Sequence, residues 1–351
     1  MILFDTSKIL QQAQRPLIII GQGLAREKIS TLLEFSTQQQ IPLAFSRLAQ
    51  DYVPYSFSLN MGCVGIKGQP YSFDLLYGSD VILSLGCRLP TTMLPRPYNG
   101  MLFMVDQDIN EIIRNRCVNY LIEDAGKILQ ELYALSEKPI DRTTWIQQCR
   151  AWKRQEKPWE TLTGNQITIY KFITALDKLT DENDIICSDA GSSYYVTMQV
   201  LKFERGQRDL TSGAFAAMGI SLPLAIGAAA AVPNKQIQCV VGDGSIELNV
   251  QELKTLSFMN YNVKVWVLQN NGYLSMRQWE DSHFEGRRIQ TENQNLLNFE
   301  HVAKAFELPY TRLDKLEIME TTMANIMGKK GPELIEVVCD PNERIFDVVD
   351  P

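Results

Sequence analysis

The sequence predicts an α/β protein made of two doubly wound parallel-sheet domains, and three observations carry this prediction. Apolar runs of strand length alternate with helix-like segments in two stretches of the chain, which is the rhythm of βαβ units. A polar segment rich in Lys, Arg, Glu and Gln separates the two stretches. The length of 351 residues is too great for one ordinary core and suits two α/β domains.

The first stretch opens on an apolar run that ends in Gly-x-Gly, at residues 16–23. This pattern is typical of a parallel strand that turns toward a helix, and a helix-like segment follows at residues 26–39. Further strands are predicted at residues 41–45, 80–85 and 101–106. We therefore place a first domain at residues 1–135.

The polar segment at residues 136–163 contains Trp145, Trp152 and Trp159 among many charged residues. Its composition predicts a linker with an amphipathic helix that packs on a domain surface. We interpret the tryptophans as packing residues rather than as a ligand cage.

A second domain is predicted at residues 164–351, where the alternating pattern resumes. Strands are predicted at residues 184–189, 236–241, 263–268 and 334–339. The Gly- and Ala-rich residues 218–231 predict a buried, closely packed helix. Asn249 with Glu252 three residues later resembles a capping box, which predicts a helix over residues 249–260.

Composition narrows the classes of function. Apolar residues make up 45% of the chain and charged residues 21%, and the net charge is −7. A negative net charge disfavours electrostatic binding of nucleic acid. No apolar run has the length that a membrane-spanning helix needs. The seven cysteines lack a Cys-x-x-Cys pair, so we expect buried free thiols and a cytoplasmic protein without a signal peptide. Two histidines are too few for a His-rich zinc site.

Two short motifs carry the chemistry: Val-Gly-Asp-Gly-Ser at residues 241–245 and Gln-Asn-Asn-Gly-Tyr at residues 269–273. Both come just after predicted strands, where open α/β sheets bind ligands. Gly242 and Gly244 allow backbone N–H groups to approach a phosphate closely. The first motif therefore predicts a phosphate site.

The same motifs supply oxygen atoms for a cation. Asp243 offers a carboxylate, Asn271 an amide oxygen and Tyr273 a backbone carbonyl. Mg²⁺ prefers about six oxygen ligands and commonly takes several from phosphate and water. A magnesium–diphosphate site is the interpretation that uses both motifs, and a pair of ordinary βα turns is the alternative.

The two motifs together resemble the diphosphate–magnesium motif of thiamine-diphosphate enzymes. Residues 211–227 are similar to the segment that holds the aminopyrimidine in acetolactate synthases, and residues 188–193 match the family's other diphosphate loop. That loop has Ser192 and Ser193 where the family has Gln-His. Further matches follow the family's central domain in order, at residues 61–68, 84–88 and 105–112. The resemblance implies a central Rossmann-like domain followed by a thiamin-diphosphate-binding fold.

The resemblance also implies residue roles. Met218 would lie under the cofactor and force it into a bent shape, and the carbonyl of Ala216 would hold the pyrimidine amino group. Mg²⁺ would be bound by Asp243, Asn271 and Tyr273. The cofactor, mainly its diphosphate, would be held by Gly191, Ser192, Ser193, Gly242, Gly244 and Ser245.

Met276 and Trp279 resemble the family's substrate-pocket pair on the next helix. The chain is one residue shorter before Trp279 than the family pattern, and one residue rotates a helical position by about 100°. Trp279 is therefore open between a pocket wall and a packing residue. The loops at residues 275–299 contain Arg277, Arg287 and Arg288, which either bind a carboxylate or sugar phosphate or form a solvated face.

The implied activity is that of an acetolactate-synthase-like carboligase, which acts on pyruvate or a related 2-keto acid and a carbonyl acceptor. The alternatives are a 2-keto acid decarboxylase and a non-catalytic cofactor-binding or assembly subunit. The family's catalytic acid comes from an N-terminal pyrimidine-binding domain, for which we find no candidate segment. We expect that domain to come from a missing segment or from a separate chain, and hence we expect a homo- or hetero-oligomer. Three explanations of the chain stay open: a truncated form, one half of a split enzyme, and an inactive remnant.

Some members of the family hold FAD in the central domain. Remnants of such a site are Gly21, Gly23, Gly68 and Asp106. Lys67 replaces the family's His, and Leu-Pro-Thr-Thr follows Arg88 in place of an Asp-rich stretch, so both departures argue against flavin. A nicotinamide dehydrogenase is disfavoured because Arg26 interrupts the Gly-x-Gly-x-x-Gly pattern.

Overall fold

The structure is a computed structural model that describes residues 2–94, 97–136, 139–292 and 297–348. The chain divides into two compact units. The first unit comprises Met1–Glu160 with Asp347–Pro351, and the second comprises Thr161–Phe346. The domain boundaries at residues 135 and 164 stay a prediction.

The described part of the first unit contains a six-stranded parallel sheet, and its strand order is β3-β2-β1-β4-β5-β6. The strands are β1 (Pro16–Ile20), β2 (Leu43–Phe45), β3 (Asn60–Cys63), β4 (Val81–Leu85), β5 (Met101–Asp106) and β6 (Asn119–Ile122). Strands β1 and β4 are buried along their whole length, which is why they are continuous apolar runs in the sequence.

The α-helices described in this unit lie before, between and after the strands along the chain. They are α1 (Ile2–Gln12), α2 (Ile29–Gln39), α3 (Ser72–Gly78), α4 (Ile109–Arg114), α5 (Ala125–Leu135) and α6 (Thr143–Arg154). Helix α6 lies in the predicted polar segment. Trp145 enters the core from α6 and donates a hydrogen bond from Nε1 to the carbonyl of Pro16 at 2.9 Å, and Trp152 packs edge-on against it.

The second unit contains a second six-stranded parallel sheet in its described residues, with strand order β11-β12-β10-β9-β7-β8. The strands are β7 (Asp184–Ser188), β8 (Arg208–Leu210), β9 (Gln236–Gly242), β10 (Val263–Gln269), β11 (Tyr310–Leu313) and β12 (Glu333–Val338). The predicted fold class of two doubly wound parallel sheets is thus confirmed.

The helices of the second unit are α7 (Ile169–Leu179), α8 (Ser192–Val200), α9 (Ser221–Ala231), α10 (Asp243–Ile246), α11 (Glu252–Met259), α12 (Leu274–His283), α13 (Phe299–Ala305) and α14 (Leu316–Met327). The chain leaves β7 toward β8 on one side and reaches β9 on the other. The direction of winding therefore reverses between β7 and β9, and crevices for ligands form at such reversal points.

All seven cysteines lie in the described residues and none of them forms a disulfide bond; Cys117 is half-buried and the other six are buried. Within the described ranges, no helix is both long enough and apolar enough to span a bilayer.

Candidate functional site

The first element of the site is the turn from β9 into α10. Strand β9 ends at Gly242 and helical structure begins at once with Asp243, whose Oδ1 accepts a hydrogen bond from the N–H of Gly244 at 2.8 Å. The capping-box prediction was therefore wrong about where the helical path starts. Asn249 does not cap a helix; its side-chain amide donates to the carbonyl of Gly219 at 2.9 Å.

Gly244 is packed and Gly242 is open. A Cβ atom at Gly244 would lie 2.5 Å from Cε1 of Tyr273, so the tyrosine ring covers this glycine. A Cβ at Gly242 would meet only Oγ of Ser245, at 3.9 Å. Space for a phosphate group is therefore available beside Gly242 and Ser245, whereas the N–H of Gly244 is already used by Asp243.

The loop after β10 is bound directly to Asp243. The Oδ2 atom of Asp243 accepts hydrogen bonds from the N–H groups of Asn270, at 3.1 Å, and Gly272, at 3.0 Å. Asn271 and Gly272 both have positive φ, 64° and 109°, so the loop turns sharply and leaves the Asn271 side chain exposed. The two motifs predicted to act together are thus joined in space by hydrogen bonds.

The loop after β7 lies beside the start of α12, the helix that follows the loop after β10. Gly191 has φ 60° and caps α8, and a Cβ on it would lie 3.0 Å from Oγ of Ser275 at the start of α12. Ser192 and Ser193 are buried. The hydroxyl of Ser193 donates to the carbonyl of Ala190 at 2.9 Å, so its hydrogen atom is used within the loop.

The segment before α9 is held by Asp189, which is fully buried at the end of β7. The carboxylate of Asp189 accepts hydrogen bonds from the N–H groups of Gly219, at 2.9 Å, and Ser221, at 2.8 Å. Helix α9 therefore begins at Ser221, so the prediction of a helix from residue 218 was wrong at its start. The predicted close burial was also wrong in part, because α9 is buried on one face only. Met218 precedes the helix and is 38% exposed, and Ala216 is left-handed with φ 43°.

The predicted substrate pair lies on α12. Met276 is 50% exposed and Trp279 is 53% exposed. Trp279 stacks on His283 with ring centroids 3.6 Å apart. The structure thus gives Trp279 a packing partner on its own helix and leaves both side chains accessible.

The arginines of the following loop have separate environments. Arg288 forms ion pairs with Asp281 and Glu292, and Arg287 donates to the carbonyl of Phe284. Arg277 is buried and is bonded to backbone carbonyls. The interpretation of Arg277 as part of a solvated or ligand-facing basic surface was therefore wrong.

The carboxylate of Asp243 is buried and has no counter-ion among the described residues. It is 1% exposed, and burial raises its pKa while three backbone N–H groups and the more distant Arg277 oppose that rise. Among the residues that the structure describes, Asp243 forms no ion pair. A buried charge without a counter-ion is costly, and a bound metal ion would offset that cost.

The donor set fits magnesium rather than a metal held by protein side chains alone. No group of three or more His, Cys, Asp or Glu side chains in the described ranges is placed to hold a metal. The buried Oδ1 of Asn270 has no hydrogen-bond partner in the described part of the chain. Asp243, the exposed Asn271 amide and the Tyr273 carbonyl are oxygen donors of the kind that Mg²⁺ shares with phosphate and water.

The residues of the predicted flavin remnant have local contacts in the first unit, and the interpretation that disfavours flavin stays a prediction. Cβ atoms at Gly21 and Gly23 would lie 2.1 Å and 2.9 Å from the carbonyl oxygen of Gly86, so these glycines serve the contact between two backbone loops. Lys67 forms an ion pair with Asp347. Two remaining residues of the predicted remnant are also used locally: a Cβ at Gly68 would lie 2.6 Å from the carbonyl of Cys63, and Asp106 accepts from the N–H of Asp108.

Sequence reasoning missed the structural roles of three residues at this site, Asp189, Asn270 and Arg277; it had named Arg277 only as part of a ligand-binding or solvated basic loop. Asp189 had a usable signal, because it directly follows a buried strand and precedes the Gly191 turn. Asn270 had a weaker one as the first residue of the Asn-Asn pair. Arg277 had none, because the carbonyls that it binds come from positions as distant as Pro341.

Comparison with known proteins agrees with this arrangement. Residues 5–132 match the family model described as thiamine pyrophosphate enzyme, central domain, and residues 189–337 match thiamine pyrophosphate enzyme, C-terminal TPP binding domain. The relatives include the acetolactate synthase isozyme 1 large subunit of Escherichia coli, 26% identical over 99% of this chain and 62% of its own length. The acetolactate synthase large subunit of Buchnera aphidicola is 29% identical over 96% of this chain and 61% of its own length.

An acetolactate synthase of Arabidopsis thaliana is 26% identical over 97% of this chain and 53% of its own length. The chain thus spans between about half and three fifths of the length of these curated relatives. Both matched domains coincide with the two parallel sheets described above. The chain therefore belongs to the thiamine pyrophosphate enzyme family, of which it contains the central domain and the C-terminal TPP-binding domain.

Proposed function

We propose that the second unit binds thiamine diphosphate through Mg²⁺, with Asp243, the side chain of Asn271 and the carbonyl of Tyr273 as protein ligands. The observation that carries this proposal is the buried Asp243 carboxylate, whose only described partners are backbone N–H groups. These three N–H groups hold the carboxylate in place and leave one of its roughly four lone-pair sites, on Oδ1, for a cation. The carbonyl of Tyr273 already accepts hydrogen bonds from the N–H groups of Met276 and Arg277 in the first turn of α12, so it would bind a metal in addition to these bonds.

The diphosphate is proposed to lie between the ends of β7 and β9, at the reversal of the winding. The turn at Gly191 and Ser192 leads into the first turn of α8, where the helix dipole favours an anion. Gly242 and Ser245 contribute the open face of the β9 turn. The contribution of Gly244 is steric, because a side chain there would displace Tyr273.

Met218 and Ala216 are proposed to contact the organic part of the cofactor. Both lie in the segment that Asp189 and Asn249 hold against the β7 and β9 turns. When bound, thiamine diphosphate supplies a carbon nucleophile and an electron sink for 2-keto acid chemistry. Met218 would make an apolar contact with the cofactor, and the carbonyl of Ala216 would accept a hydrogen bond from it.

The proposed reaction is that of a carboligase: decarboxylation of pyruvate or a related 2-keto acid, followed by transfer of the two-carbon unit to a carbonyl acceptor. The acetolactate synthase relatives support it. Met276 and Trp279 are proposed to bound the substrate pocket, because both are exposed on the helix that follows the metal loop. A 2-keto acid decarboxylase is the alternative within the same chemistry.

The site is proposed to be completed by a pyrimidine-binding domain, within an oligomer. Three large apolar side chains near the Gly219 segment are exposed and would be covered by it: Phe215, Met218 and Leu248. Exposed apolar groups of this size are typical of binding surfaces. A chain that binds the cofactor but never turns over would be a non-catalytic assembly subunit.

The experiment is reconstitution with a separately produced pyrimidine-binding domain, thiamine diphosphate, Mg²⁺ and pyruvate, with Asp243→Asn as the inactive control. The proposal predicts acetolactate that depends on both polypeptides and on Asp243. Acetaldehyde as the main product in the presence of an acceptor would favour the decarboxylase. Cofactor binding without either product would favour the non-catalytic subunit and contradict the carboligase.

A further inference from the structure

Arg277 is a buried cation in the first turn of α12, with 3% of its surface exposed. Its guanidinium donates hydrogen bonds to the carbonyls of Asn271 at 2.8 Å and Asn270 at 2.9 Å. It also donates to the carbonyls of Thr291 at 3.2 Å and Pro341 at 2.9 Å. One side chain thus connects the loop after β10 with two other segments of the second unit.

The carbonyl partners distinguish Arg277 from an arginine in a salt bridge. In the described part of the chain it forms no ion pair, and burial lowers its pKa, whereas Asp243 among other carboxylates opposes that change. Burial of a guanidinium is costly unless its N–H groups are satisfied. Four backbone carbonyls satisfy it, and the same carbonyls are thereby fixed.

Asp243 and Arg277 hold the same loop through opposite groups. Asp243 accepts from the N–H groups of Asn270 and Gly272, while Arg277 donates to the carbonyls of Asn270 and Asn271. The loop contains two successive residues with positive φ, Asn271 and Gly272. A non-glycine residue in that conformation costs free energy and persists when surrounding contacts determine it.

We infer that Arg277 is a positioning residue for magnesium: it holds the Asn270–Asn271 backbone so that the Asn271 side chain and the Tyr273 carbonyl are already in place when the ion arrives. This inference rests on the proposed function. Partners behind the ligands of a metal commonly change its affinity by about 10- to 100-fold when they are removed. The loss of Arg277 is therefore expected to raise the magnesium requirement rather than to abolish the site.

The test compares Arg277→Lys and Arg277→Met with Arg142→Lys. Arg142 is a matched control in the first unit: it is also buried and donates to the carbonyls of Leu10, Ala13 and Gln39. Binding of thiamine diphosphate is titrated at increasing Mg²⁺ concentrations for each protein. Hydrogen exchange of the amides at residues 270–273 is measured without ligand, and thermal unfolding reports general damage.

The expected result for Arg277→Lys is an increase of about tenfold or more in the Mg²⁺ concentration at half-saturation, with binding recovered at high Mg²⁺. Exchange at residues 270–273 should accelerate in parallel. Arg142→Lys should lower the unfolding temperature and leave the Mg²⁺ requirement unchanged. If Arg277→Met does not fold, the comparison of Arg277→Lys with the wild type alone tests the inference.

Two outcomes would overturn the inference in different ways. Wild-type binding with an unchanged Mg²⁺ requirement and unchanged exchange in Arg277→Lys would show that the arginine does not position the loop, while the proposed site stands. No binding by the wild type at any Mg²⁺ concentration, even with an added pyrimidine-binding domain, would overturn the proposed site and, with it, the role of Arg277 in metal binding.

Discussion

Replacement of Glu343 by Gln removes one titratable carboxyl group from the second unit and leaves the shape of the side chain almost unchanged. Glu343 is 7% exposed. Its carboxyl oxygens accept hydrogen bonds from the N–H groups of Ile169 at 2.6 Å and Tyr170 at 3.2 Å, in the first turn of α7. Burial raises the pKa of Glu343 to about 7, although these N–H groups favour the carboxylate.

The magnitude follows from linkage between protonation and folding. The ordinary pKa is 4.5 and the folded value is about 7; at about 1.36 kcal/mol per pH unit, the difference is worth roughly 3 kcal/mol. The folded state retains the proton in this interval and the unfolded state does not. The contribution of Glu343 to stability is therefore complete below pH 4.5 and is lost as the pH rises to about 7.

The assay is urea unfolding of the wild type and Glu343→Gln between pH 4.5 and 8, with hydrogen exchange of α7 peptides to assign the transition of the second unit. Glutamine keeps an acceptor oxygen and does not titrate. The variant should therefore gain roughly 3 kcal/mol relative to the wild type across this interval, or on the order of 1 to 3 M in urea midpoint. Parallel stability curves would refute the buried, protonated carboxyl.

Two glycine substitutions separate packing from cofactor binding. Gly21→Ala places a Cβ 2.1 Å from the carbonyl oxygen of Gly86. We therefore expect the unfolding free energy of the first unit to fall by about 3 kcal/mol. An unchanged denaturation midpoint would argue against this close backbone contact. Gly244→Ala places a Cβ 2.5 Å from the Tyr273 ring, which can rotate away, so stability should change by less than about 1 kcal/mol. Binding of magnesium–thiamine diphosphate by that variant should fall by about tenfold or more, and unaltered affinity in calorimetry would remove Tyr273 from the proposed site.

Elements whose burial is continuous along the chain were predictable from the sequence. Strands β1, β4 and β10 are apolar runs because both faces of a parallel sheet are covered. Strand β3 was missed because Gly62, with φ 73°, interrupts its apolar pattern. Strands β8 and β11 were missed because they are short sheet-edge strands with exposed or half-exposed residues.

The two errors in helix starts have a common cause. Asn249 and Glu252 have the spacing of a capping box, but the Asn249 amide is used by Gly219. Helix α9 has no local side-chain cap and is instead bounded by Asp189, about thirty residues earlier. Local sequence patterns describe local hydrogen bonds, and at this site the decisive hydrogen bonds join distant segments.

The chemistry of the candidate site was predictable to the level of the two motifs. Their proximity followed from parallel topology, which brings the ends of β9 and β10 to one edge of the sheet. The hydrogen bonds from the N–H groups of Asn270 and Gly272 to Asp243 depend on the conformation of the loop. The positive φ angles of that loop cannot be predicted from a short motif.

The measurement that tests the central claim most directly is calorimetric titration of thiamine diphosphate into the wild type, with and without Mg²⁺, beside Asp243→Asn. Asp184→Asn is the matched control, because Asp184 is also a buried carboxylate of the second unit and lies at the opposite end of β7. The account predicts binding that requires Mg²⁺, persists in Asp184→Asn and falls by at least about tenfold in Asp243→Asn. Binding that depends on neither Mg²⁺ nor Asp243 would contradict the account. No binding even with an added pyrimidine-binding domain would contradict it as well.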